Sequence, residues 1–126
     1  MLGHADLVAF IPTRNPQQAR IFYEQTLGLE FVSEDPFAIV FNANGVMLRI
    51  SNVSSVPDFK PAPFTILGWR VARAEDAVRE LVAKGVKFER FAGMKQDELG
   101  IWVSPSGARI AWFKDQDGNI LSVTQH

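Results

Sequence analysis

Apolar and polar positions follow one plan along this chain, and the plan is used twice. Leu7 to Ile11 is an apolar run that stops at Pro12 and predicts a buried strand. Behind it Ala19, Phe22, Tyr23 and Leu27 recur at helical spacing. Asn15 suits the N-cap, Pro16 the first helical position, Gln18 the place of a capping-box partner and Gly28 the residue just past the end. Leu29 to Val32 and Phe37 to Phe41 predict two more strands, and Asn44-Gly45 is a hairpin turn into a fourth, Val46 to Ile50. The order is β-α-β-β-β.

Residues 52 to 63 carry three prolines and little periodicity, which predicts a connecting loop. The plan then returns. Phe64 to Val71 reads as a strand. Ala74, Ala77, Val78, Leu81 and Val82 line one face of a helix with Glu75 and Asp76 in its first turn and Gly85 at its close. Val86 to Phe91 follows as a strand, then a polar loop from Gly93 to Gly100. Ile101 to Val103 offers a short strand before the turn Ser104-Pro105-Ser106-Gly107. A last hairpin sets two apolar runs on either side of Asp115-Gln116-Asp117-Gly118-Asn119. This internal repeat predicts an α+β fold: one domain, residues 1–126, of two β-α-β-β-β units, about 5–51 and 64–125, linked by 52–63.

Composition narrows the function classes. With 126 residues, 47% of them hydrophobic and 21% charged, the chain suits one globular domain with a sizeable core. A net charge of -1 argues against a nucleic-acid surface or a polybasic membrane contact, because neither gathers phosphates without excess Lys and Arg. Absence of cysteine removes disulfides, thiolate metal sites and thiol nucleophiles. Met1 to Pro12 lacks a basic leader and its apolar run is broken by His4 and Asp6, so a soluble cytoplasmic protein is expected.

Asn15-Pro16, then Phe22-Tyr23, then Leu27-Gly28-Leu29, and at the far end Asp115 to Asn119 entering a strand, resemble in order and spacing the vicinal-oxygen-chelate superfamily. That family includes glyoxalase I, bleomycin-resistance proteins and extradiol dioxygenases. The resemblance implies two units whose curved mixed sheets form a cleft, commonly completed in a homodimer, so a homodimer is expected. It also implies where metal ligands would lie: on the first and last strands of each unit, at Val8, Arg49, Ile66 and Ser122. Ser122 stands where the family carries a glutamate. None of the four is a metal ligand of ordinary strength, and Arg49 would repel a cation. The only histidines, His4 and His126, lie at the chain ends. A metal-free protein with no cofactor is the expectation.

Strand alternation gives the side chains that share a face with those positions. Val8, Phe10 and Pro12 face with Met47 and Arg49; Ile66, Gly68 and Arg70 face with Ile120 and Ser122, and with Ile110, Trp112 and Lys114. Phe113 and Trp69 turn to the helix side. The candidate ligand-binding set is Val8, Phe10, Arg49, Ile66, Gly68, Arg70, Trp112 and Ser122, an apolar and aromatic surface with one distinctive cation. Two readings of Arg49 stand: it pairs with a ligand carboxylate or phosphate, or with an internal acid such as Glu34, Asp35 or an acid of a neighbouring subunit. Trp112 is either a stacking surface or plain packing. The loop 93–100 is either a cover over the cleft or a solvated connection.

No Ser-His-acid set and no phosphate-cradling glycine loop is present, so no catalytic residue is assigned. The expected function is metal-independent binding of a planar or anionic small molecule, as in bleomycin-resistance proteins. The alternatives are a divergent glyoxalase-like lyase, isomerase or dioxygenase, and an interaction module with a filled cleft.

Overall fold

A computed structural model describes residues 1–126. Backbone packing divides them into two compact units, Met1–Lys60 and Pro61–His126. The first holds β1 (Val8–Thr13), α1 (Pro16–Ile21), β2 (Glu30–Glu34), β3 (Ala38–Ala43) and β4 (Val46–Asn52). Its sheet runs β1-β4-β3-β2, parallel between β1 and β4 and antiparallel elsewhere. In the second unit β5 (Thr65–Arg70), α2 (Ala74–Ala83), β6 (Trp102–Val103), β7 (Arg109–Lys114) and β8 (Ile120–Gln125) form a sheet in the order β5-β8-β7-β6. The two orders are the same, with the last strand inserted between the first and the one before it. The expected α+β architecture of two four-stranded mixed sheets is present. No helix is long and apolar enough to cross a membrane.

Period-two alternation decides which face of each sheet is covered. In the first unit Ile11, Ile39, Phe41, Leu48 and Ile50 are buried on the face where α1 packs on β3 and β4, joined by Ala19 and Tyr23 from the helix. In the second, Ala111, Phe113, Leu121 and Val123 meet Ala74 and Val78 of α2. Burial of this kind contributes about 1.5 to 3 kcal/mol for each large side chain, so these alternate positions hold the register.

The helix ends are set by different devices. At α1 the Asn15 side chain accepts the Gln18 amide at 3.2 Å and Pro16 takes the first helical position. The helix then widens into a π-helical turn, Phe22–Thr26, closed by the Leu27 amide on the Phe22 carbonyl, and Gly28 ends it at φ 76°. Arg73 gives α2 no side-chain cap; the amide of Ala74 donates instead to Oε1 of Gln125, on β8, at 2.8 Å. No local sequence signal announces that cap.

Two expectations are corrected. The first strand does not stop at Pro12 but runs through it to Thr13, with Pro12 opposite Ser51. β1 is an edge strand of its sheet, where a residue without an N–H is tolerated. Val86 to Phe91 is not a strand. Only Phe88 bridges to Phe113, the Glu89 amide donates to the Trp112 carbonyl, and β6 takes the sheet edge.

Two polar groups of that segment are claimed by one side chain. Oε1 of Gln96 accepts the Phe91 amide at 2.8 Å, while its Nε2 donates to the carbonyls of Glu89 and Gly100 at 3.0 and 2.8 Å. The 93–100 loop is therefore pinned at its middle to the segment before it, which favours the reading of a fixed connection. Gln96→Ala is expected to lower stability by about 1 to 3 kcal/mol, because part-buried backbone groups lose their partners. Urea unfolding measures this, and hydrogen exchange at the Phe91 amide should accelerate.

Candidate functional site

Each sheet has a second face that no helix of its own unit covers. In the first unit this face carries Val8, Phe10 and Pro12 on β1, Met47, Arg49 and Ser51 on β4, and Val40 and Asn42 on β3. The central row is Phe10, Arg49 and Val40, side by side across three strands. Phe10 is 63% exposed and Met47 45%, while Arg49 is half-buried among them. The large apolar groups left in solvent on this sheet face make it the candidate surface of the first unit.

The Arg49 side chain forms no hydrogen bond or ion pair, and the acids considered for it are engaged elsewhere. Glu34 is engaged by Arg20 at 3.3 Å, and Arg20 also caps the Phe31 ring at 3.7 Å from its centroid. The Asp35 carboxylate accepts the Phe37 and Ala38 amides at 2.7 and 2.9 Å. These two amide bonds hold the Asp35 carboxyl below the usual aspartate range; a slight desolvation opposes them, and the positive charge of Arg49 adds a smaller lowering. Of the internal acids considered for Arg49, one is thus taken by another arginine and the other by backbone.

In the second unit the matching row is Gly68, Ser122 and Trp112. Arg49 and Ser122 hold equivalent places, each on the last strand between an edge strand and a hairpin strand. Around them lie Arg70, Thr124, Ile120, Ile110 and Lys114. A Cβ on Gly68 would stand 2.6 Å from Oγ of Ser122, so the glycine leaves the space into which that hydroxyl leans. Trp112 packs edge-on against Phe91, with ring centroids 5.5 Å apart, and tilted against Trp102 at 6.2 Å.

Six of the eight candidate residues follow the predicted alternation within their own sheets and Arg70 joins them at the β5 end, while Ile66 falls where the register shifts. A bulge lies between Thr65 and Leu67: Thr65 pairs with Ile120 and Leu67 with Leu121, and Ile66 is left unpaired. Thr65, opposite Ile120, stands on this face, and its Oγ1 accepts the Trp112 indole N–H at 3.0 Å. Thr65 was not among the candidate residues, and no local signal marks the bulge. Phe91 and Trp102 were also missed as neighbours of Trp112, since the contact needs the fold of the 86–103 segment.

A metal of the kind the family uses does not fit these residues. Val8 offers no donor, Arg49 is a cation, Ile66 sits at the bulge and Ser122 is a neutral hydroxyl. No three His, Asp or Glu side chains gather anywhere as a ligand set.

The family model for the glyoxalase, bleomycin-resistance protein and dioxygenase superfamily matches residues 2–123, and the chain belongs to that superfamily. A superfamily member from Sphaerobacter thermophilus DSM 20745 is similar at 24% identity and TM-score 0.77, with both chains covered in full. A lactoylglutathione lyase from Agrobacterium tumefaciens has 19% identity and TM-score 0.73, covering 97% of this chain and 93% of its own. TnmS3, an antibiotic-binding protein from Streptomyces sp. CB03234, has 21% identity and TM-score 0.71, covering 99% and 98%. At such identities the likeness establishes the fold. No curated protein matches the chain.

The relation between Asp35 and Arg49 is open to titration. Asp35 should titrate below the usual aspartate range, followed by NMR of its side-chain carboxyl. In Arg49→Ala the midpoint should rise but stay below the ordinary value, because the two amide bonds remain. Since the folded carboxyl is more acidic than the unfolded one, its stabilisation is present above the unfolded pKa and is lost as pH falls through the folded pKa. A return to the ordinary value in Arg49→Ala would make the arginine, and not the amides, the main cause.

Proposed function

We propose that this chain is a metal-independent small-molecule-binding protein. Its first unit takes the acidic group of an apolar ligand at Arg49, and its second offers Trp112 and the rings around it as a surface for planar ligands. The observation that carries this reading is the state of Arg49: a half-buried guanidinium in an apolar row, whose nearby acids are held by other partners. A guanidinium presents five donors in a planar fork that suits a carboxylate or phosphate bidentately. Phe10, Val8 and Met47 supply apolar surface for the body of the same ligand. The existence of an antibiotic-binding protein with this fold supports the reading by analogy.

A thermal-shift screen of aromatic carboxylates, organic phosphates and antibiotics, followed by calorimetry on each hit, tests it. Arg49→Ala should lose about 1.5 to 3 kcal/mol of affinity, roughly tenfold to a hundredfold, with melting temperature unchanged or raised. A large stability loss with unchanged affinity would defeat the anchor role of Arg49 and point to a structural partner, such as an acid from a second copy. Hits that are consumed on incubation would favour a divergent lyase, isomerase or oxygenase.

A further inference from the structure

The turn between β3 and β4 holds an asparagine open to attack by its own backbone, and beside it a side chain that obstructs the attack. Asn44-Gly45 is the only Asn-Gly pair of the chain; Asn15, Asn42, Asn52 and Asn119 precede Pro16, Ala43, Val53 and Ile120. Both turn residues are exposed and both take positive φ, 51° and 92°, in a two-residue turn closed by the pair Ala43 and Val46. This is the type I′ geometry that asparagine and glycine favour. Glycine, lacking a side chain, also leaves its backbone nitrogen unshielded.

The chemistry is intramolecular. The Gly45 nitrogen attacks Cγ of Asn44; the N–Cγ bond forms, the Cγ–Nδ2 bond breaks, and ammonia leaves with the proton that the Gly45 amide gives up. Water then opens the cyclic imide at either carbonyl, leaving aspartate or isoaspartate. No other reactant is needed. The Gly45 nitrogen must swing toward the Asn44 side chain and must lose its proton.

One chain of hydrogen bonds opposes both. The Gly45 amide donates to Oδ1 of Asn42 at 2.7 Å, which holds its proton and its orientation. Asn42 is aimed in turn from β2: its Nδ2 donates to Oε2 of Glu30, the residue opposite it, at 3.1 Å. A carboxylate only accepts, so it selects the nitrogen of Asn42 and leaves the oxygen for Gly45.

We infer that Asn44 is a site of spontaneous deamidation and that Asn42, aimed by Glu30, is its guard, so that conversion proceeds from the state in which the Asn42 bond is open. The product bears on the fold. Isoaspartate adds a methylene to the main chain of the turn, and that turn sets the register of β3 on β4, the strand that carries Arg49.

Whole protein aged in mildly alkaline buffer and followed by peptide mass mapping gives the rate at Asn44. Conversion should be slower in the wild type than in a free peptide of residues 41–48, which has the same turn sequence and no Glu30. Asn42→Ala should speed it about threefold to tenfold, the worth of one net hydrogen bond. Glu30→Ala should speed it less, and Asn42→Asp, which keeps an acceptor for Gly45, should stay closer to the wild type than Asn42→Ala. In unaged protein the Gly45 amide should exchange faster in Asn42→Ala while the ladder amides of β3 and β4 keep their protection, a pattern that general loosening of the sheet would not give. The fraction carrying isoaspartate should melt below the wild type, and Asn44→Asp, with the charge but without the added methylene, close to it. Equal rates in the wild type and Asn42→Ala, a Gly45 amide indifferent to that change, or a wild-type rate matching the free peptide would overturn the guard role. Faster conversion at Asn15, Asn52 or Asn119 than at Asn44 in Asn42→Ala would overturn the site. An isoaspartate fraction melting with the wild type would overturn the consequence for the fold.

Discussion

Both units depend on the placement of the last strand. β4 pairs in parallel with β1 on one side and antiparallel with β3 on the other, and β8 does the same with β5 and β7. A strand held on both edges cannot slip, because a shift by one residue would carry Leu48 and Ile50, or Leu121 and Val123, from the helix-covered core into solvent. What lies on the other face then follows. Arg49 and Ser122 sit at the middle of their sheets because the apolar residues beside them must point the other way.

On this shared backbone the two units carry different chemistry. Phe10, Arg49 and Val40 put a cation among apolar groups, while Gly68, Ser122 and Trp112 put a small hydroxyl between a glycine and a large aromatic. The aromatic comes from the edge strand in one row and from the hairpin strand in the other. Only the second has a glycine at the edge, and a Cβ there would strike the Ser122 hydroxyl. Of the positions where the family resemblance implies metal ligands, one is here a cation, one a hydroxyl and two are aliphatic. The fold tolerates such exchange because none of these side chains belongs to the helix-covered core.

Where simple alternation fails, a distant group is responsible. The bulge at Ile66 depends on how β5 meets β8. The extended segment 86–91 bridges to its sheet only at Phe88, and an amide side chain five residues beyond it, Gln96, takes the Phe91 amide and the Glu89 carbonyl. The first turn of α2 is capped from Gln125, at the other end of its unit. In the last two cases a backbone group in need of a partner found one on a side chain outside its own segment.

The sequence by itself determined the repeat, both helices, the Asn44-Gly45 and Asp115 to Asn119 turns, and the faces of β1, β4, β7 and β8. These follow from local periodicity, capping and turn chemistry, and from the residues that carry the family resemblance. It also showed that Val8, Arg49 and Ser122 do not form a metal donor set, since that is a matter of residue identity. Tertiary structure alone decided that Thr65 reaches Trp112, that Phe91 and Trp102 pack on the same indole, and that Glu34 is spent on Arg20. Each of these is settled by which strands become neighbours and which donors reach which acceptors across them, and a one-dimensional pattern of apolar and polar residues carries no record of such reach.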